Sequence, residues 1–185
     1  MAETPSNMNP LGFKAPVFEL KDVVSGQPIN LEDVKSDKAT VIMFICNHCP
    51  FVKHVNDQLV QLAKDYIPRG IVFIAISSND AEKYPEDSPV KMQEYAKRLG
   101  YPFPYLHDET QEVAKAYDAA CTPDFYIFDK ELKCVYRGQL DDSRPSNNIP
   151  VTGKDIRNAL DAMLEGNPVD ENQRPSIGCN IKWKK

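Results

Sequence analysis

The apolar positions change period several times along the chain. "ATVIMFIC" (39–46) is continuously apolar and rich in β-branched residues, the pattern of a strand covered on both faces. After Pro50 the spacing becomes helical. Phe51, Val52, Val55, Leu59, Leu62, Ala63 and Tyr66 share one face, and Pro68 and Gly70 close the helix. "IVFIAISS" (71–78) then predicts a second buried strand. Strand, helix and strand in this order form a βαβ unit, which implies a parallel pair with a right-handed crossover.

The flanks read less regularly. "PVFELKDVVSGQPINL" predicts two short strands around a Ser-Gly turn, and Asn30 is placed to cap a short helix from Leu31, with Asp33 as its early acid. "NDAEKYPEDSP" reads as a polar loop, "VKMQEYAKRLG" as a helix closed by Gly100, and "FPYL" as a short strand. Asp108 and Gln111 suggest a capping box before "EVAKAY". "DFYIFD" and "KCVYRGQL" alternate like an antiparallel hairpin, and a last helix runs from Thr152 and Asp155 to Gly166 and Pro168. Residues 1–14 read as a loose arm and 167–185 as a polar C-terminal extension. The whole predicts a single domain over 1–185, an α/β three-layer fold with helices on both faces of a mixed sheet.

Composition narrows the class. The 185 residues suffice for one core, and a net charge of −5 with scattered basic residues argues against nucleic acid or an anionic membrane as partner. The first residues carry an acid and no apolar segment, and no run has the length of a membrane span, so the expected location is cytoplasmic. Thiols are kept reduced there, and five cysteines with one close pair do not make a disulfide scaffold.

The close pair is Cys46-Asn47-His48-Cys49, where the first buried strand gives way to the helix. A helix start offers unpaired N–H groups and about half a positive charge, which favour thiolate. Cys46 is therefore expected to be more acidic than a free cysteine at roughly 8.5, to attack a disulfide, and to be resolved by Cys49. His48 would tune the pair, making it more oxidising if its imidazolium stabilises the thiolate. Half of a zinc site, or two packed thiols without chemistry, are the competing readings; zinc needs four ligands and no second CxxC exists, so no metal is expected.

Beyond the dithiol, "GFKAPVFELKDVVSGQPINL", "VIMFICNHCPFVK", "CTPDFYIFD", "YRGQLDD" and "PSIGCNIKWK" resemble the thioredoxin-like superfamily, in its peroxiredoxin-like, redoxin (AhpC-TSA-type) branch carrying a CxxC. The resemblance implies a thioredoxin-like α/β/α sandwich with an N-terminal β-hairpin extension and a C-terminal tail. It implies that Pro123 is cis and faces the dithiol, where the residues alone leave cis and trans open. Thr122 and Pro123, with Asn47 and Pro50, would orient the substrate, the Thr122 backbone pairing with an incoming strand. The implied activity is thiol–disulfide oxidoreduction without an added cofactor. Its partners would be a disulfide-bearing protein or small thiol compound and an unidentified electron donor.

Two departures stand out. Thr40 occupies the position of the buried acid of thioredoxins and Ile45 that of their tryptophan. With Cys49 aligned to a peroxidatic cysteine, Cys46 takes the place of the activating Thr and Pro123 lies near that of the Arg. A thiol peroxidase with an antioxidant role is thus an alternative, as is a non-catalytic zinc- or protein-binding module. Cys121, two residues before Pro123, and Cys179, in the tail, are possible additional thiols, with a small buried packing residue as the plainer role for Cys179. Cys134 is expected to be filler, Trp183 to anchor the tail, and "YPFPYL" and "DDSR" to be loop packing and solvated charge.

Overall fold

The computed structural model describes residues 3–185. Its centre is strand β4 (Thr40–Phe44), in which every residue is buried. β4 runs parallel to β5 (Val72–Ser77), which runs parallel to β6 (Tyr105–His107). On its other edge β4 pairs antiparallel with β8 (Asp124–Phe128), and β8 with β9 (Cys134–Gly138). The mixed sheet therefore has the order β6-β5-β4-β8-β9.

Alternation along β4 sorts the core into two layers. Val41 and Met43 pack with Leu59 and Leu62 of α2 (Pro50–Tyr66), Met92 of α3 (Pro89–Leu99) and Leu160 of α5 (Lys154–Leu164). Ile42 and Phe44 pack on the opposite face with Leu31 of α1 (Leu31–Val34) and Ala114 of α4 (Glu112–Ala116). The α/β/α layering thus follows from a strand apolar on both sides. Asn30 caps α1 through a bond from the Glu32 N–H, and Gly100 closes α3 in the left-handed conformation. β2 (Glu19–Lys21) and β3 (Pro28–Asn30) form the expected hairpin. No described helix is long and apolar enough to cross a membrane.

Both chain ends depart from the sequence reading. The segment expected to be a loose arm contains β1 (Glu3–Pro5), and the C-terminal extension contains β10 (Ile177–Asn180). β10 lies between β1 and the short β7 (Cys121–Thr122) in a second, three-stranded sheet. Neither strand is apolar enough to be seen alone; each exists through pairing with distant backbone and through side-chain bonds such as Ser6 Oγ to Asp124 Oδ1 at 2.8 Å. The tail beyond β10 is fixed by buried Ile181 and by polar groups rather than by Trp183, which is 39% exposed: Lys182 N donates to Asn79 Oδ1, and Gln111 Nε2 to the Lys182 carbonyl. Gln111 is thereby drawn away from the capping box, and the Asp108 carboxylate alone accepts from the Val113 and Ala114 N–H groups. "DDSR" is solvated only in part: Asp142 is exposed, while buried Asp141 accepts from the N–H groups of Ser143, Thr152 and Gly153.

Candidate active site

β4 stops at Phe44, although Ile45 N still reaches the Ile76 carbonyl at 3.0 Å. The chain then loops, and α2 begins at Pro50, whose missing N–H costs nothing at the first helical position. Cys49 is consequently the N-cap, and Cys46 lies before the helix. The sequence reading placed the helix start, and with it the acidity, at Cys46. The structure moves the helix start to Cys49, and the bond from Cys46 favours the thiolate there ahead of the backbone N–H of Val52.

The two sulfurs meet the segment before β8. Cys46 Sγ lies 3.5 Å from Thr122 Oγ1 and Cys49 Sγ 3.4 Å from the Thr122 carbonyl. The Thr122–Pro123 peptide bond is cis. Both thiols are free and buried. Within the pair the proton stays on Cys46, whose affinity for it is raised by the bond it gives Cys49, by burial and by the Asp87 charge. Cys49 is pushed toward the thiolate by Cys46, against its own burial, with help from the Cys179 thiol, the Val52 N–H and Thr122. Its contact with the Thr122 carbonyl would suit a thiol donor, but the donors converging on the N-cap outweigh that single acceptor.

His48 lies beside the pair, a ring nitrogen within 4.8 Å of Cys46 Sγ. Its Nδ1 lies 2.5 Å from Asp87 Oδ2, an ion pair when the ring is protonated, and its ring stacks parallel on Tyr84 at 5.6 Å. Asp87, fully buried in a 3₁₀ turn over Pro85–Asp87, also accepts from Asn47 N at 2.8 Å and Asn79 Nδ2 at 2.9 Å. The close contact with its carboxylate, and then its charge, raise the His48 pKa against the opposing effect of burial. Asn47, expected at the substrate, is buried: it donates to the Glu86 carbonyl and accepts from Tyr105 Oη. Pro50, expected beside it, is exposed at the start of α2. Asp87 escaped the sequence reading because "NDAEKYPEDSP" has no periodicity; the one signal was a histidine beside two cysteines, which calls for an orienting acid.

Cys46, His48 and Asp87 each offer a ligand atom, all within 4.8 Å of one another, a partial set for a metal that takes four. Cys179 joins the packed cluster of Cys46 and Cys49, and burial together with the bond it gives Cys49 raises its pKa to about 12. Cys121 is buried, its Sγ 3.7 Å from the Pro123 carbonyl, and holds its proton through burial. Cys134 packs in the opposite layer. Beside Pro123, a small cleft of about 20 Å³ opens between Phe51, His54, Ser143 and Ile177. The Thr122 backbone is not free to receive a strand: β10 already pairs with it, Cys179 opposite Thr122.

Residues 11–137 match the AhpC/TSA family. The chain belongs to that family. Its fold is thioredoxin-like. A crystal structure of an uncharacterized conserved protein from Geobacillus kaustophilus is 72% identical, covers 100% of this chain and 97% of its own, and superposes with a TM-score of 0.99. The thiol-disulfide oxidoreductase ResA of Bacillus subtilis (strain 168) is 26% identical over 124 residues, 67% of this chain; the match spans 64% of that relative's length. A secreted Mycobacterium tuberculosis disulfide oxidoreductase homologous to E. coli DsbE shares the fold at 17% identity, TM-score 0.60, covering 78% of this chain and 95% of its own.

Proposed function

We propose that this chain is a thiol–disulfide oxidoreductase whose redox centre is the Cys46–Cys49 pair. The observation that carries the reading is two buried free thiols at the start of a helix, Cys49 as its N-cap, both packed on Thr122 beside Pro123. The similarity to ResA supports it. The roles run opposite to the order expected from the sequence. Cys49, the thiolate, attacks a substrate disulfide and forms a mixed disulfide, releasing one substrate thiolate. Cys46 then attacks Cys49 Sγ, closes the Cys46–Cys49 bond and frees the second thiolate, which takes up the Cys46 proton. The two electrons come from the protein thiols, so no cofactor is called for. A dithiol reductant returns the pair to its starting state.

His48 and Asp87 set the electrostatics. The imidazolium held by Asp87 and the Cys49 thiolate raise each other's stability. This favours the reduced form, and we expect a potential less negative than the roughly −270 mV of thioredoxin. Substrates are disulfide-bearing proteins or small disulfides presented along the cleft beside Pro123. The reading is tested by turnover of oxidised glutathione or a disulfide-bonded peptide with a dithiol reductant. Activity lost in both Cys46→Ser and Cys49→Ser supports it; activity kept in either overturns it.

Zinc is the second reading, favoured by the clustering of Cys46, His48 and Asp87. Stoichiometric zinc in the purified protein, with thiols that resist oxidation, would replace the redox reading. Peroxide consumption lost with Cys49 but retained without Cys46 would point to a peroxidase instead.

A further inference from the structure

The edge beside the dithiol is occupied by the chain itself. β10 pairs with β7 so that Cys179 lies opposite Thr122, whose carbonyl lies 3.4 Å from Cys49 Sγ. The approach is close: a Cβ on Gly178 would fall 2.0 Å from the Thr122 carbonyl oxygen. β1 holds the far edge of β10, and Ser176 Oγ donates to the Pro123 carbonyl at 2.5 Å. Cys179 packs in one cluster with Cys46 and Cys49, and α2 packs against β10. A strand lying along the residue before Pro123, with a cysteine facing the dithiol, has the form of a substrate.

We propose that Cys179 is a second resolving thiol, presented to Cys49 by β10 in the place of a substrate strand. The inference rests on the dithiol reading above and adds a third reacting sulfur to it. Its direct interaction with Cys49 in the resting state agrees with this role. With both thiols of the pair buried, an incoming strand must displace β10, and the return of β10 then ejects the product.

The step balances without a further reactant. Cys49 first attacks a substrate disulfide and holds one half as a mixed disulfide. Cys179 Sγ attacks Cys49 Sγ; the Cys49–Cys179 bond forms, the bond to substrate breaks, and the substrate leaves as a thiolate that takes up the Cys179 proton. Cys46 then attacks Cys49, forming Cys46–Cys49 and returning Cys179 to the thiol with the proton Cys46 gives up. Two protein thiols are oxidised overall and one substrate disulfide is reduced.

The test is to treat full-length Cys46→Ser with oxidised glutathione, alkylate the free thiols and map the linked peptides. A Cys49–Cys179 link with no retained glutathione is expected, and Cys46→Ser/Cys179→Ser should keep glutathione on Cys49. Cys46→Ala, checked for folding by circular dichroism, repeats the test if the serine variant unfolds. Glutathione held on Cys49 with Cys179 free overturns the proposal. So does an unreactive Cys49 in a folded Cys46 variant, since Cys46 would then be the attacking sulfur. In parallel, wild type that closes no Cys46–Cys49 bond overturns the dithiol reading itself; wild type that closes it while the variants form no Cys49–Cys179 link overturns this inference alone.

Discussion

At the scale of the residue, proton affinities are decided by neighbours that the sequence holds far apart. Asp87 lies 39 positions from His48 along the chain and in contact with it in space. Asp87→Asn removes the charge that raises the His48 pKa and leaves burial, which lowers it. The His48 titration followed by NMR should therefore move down from its wild-type midpoint, and an unchanged midpoint would contradict the ion pair. Asp124 behaves differently. Burial pushes its carboxyl up to about 7, and its Oδ2 has no partner, which a neutral acid tolerates better than a carboxylate. The folded chain holds a proton there that the unfolded chain releases near 3.8. Stability from this group is complete below that value and falls as pH rises toward 7, by on the order of a few kcal/mol. Denaturation across this range should show the slope in wild type and a flatter one in Asp124→Asn; equal slopes would contradict it. The dithiol was legible because two cysteines stand next to a helix start. Where that helix starts was not, because three residues of phase decide it: with Pro50 at the first helical position, Cys49 and not Cys46 becomes the N-cap.

At the scale of the element, periodicity carried the buried pieces. β4, α2 and β5 appear where their apolar patterns put them, since each is covered enough for its pattern to be dictated by packing. β1, β7 and β10 are short and mixed, and no local pattern marks them. Their one trace in the sequence is Gly178, which looks like a hinge and is in fact a contact point. Gly178→Ala sets a methyl group against the Thr122 carbonyl and must push β10 away from β7. Overpacking of this kind costs about 1–3 kcal/mol. The expected result is a lower Tm together with faster alkylation of Cys49 in the native protein. A lower Tm with unchanged alkylation would show that β10 does not cover the thiol.

At the scale of the whole molecule, the two chain ends close over the site. β1 holds β10, and β10 covers the edge beside Cys46 and Cys49, so both thiols are buried although the redox reading requires them to meet another disulfide. The layered fold was legible from the order of the elements and its thioredoxin-like form as a resemblance, but this cover was not, because it depends on the pairing of residues 3–5 with residues 177–179. The resulting molecule has two buried thiols in its core, a half-buried histidine beside Asp87 and a third thiol on the strand that pairs with Thr122. The most direct measurement is the equilibrium oxidation of wild type in graded glutathione buffers, read by thiol trapping and peptide mapping. A single two-electron transition that closes Cys46–Cys49, at a potential above that of thioredoxin, is the predicted result. Two thiols that stay free in every buffer would contradict the redox centre.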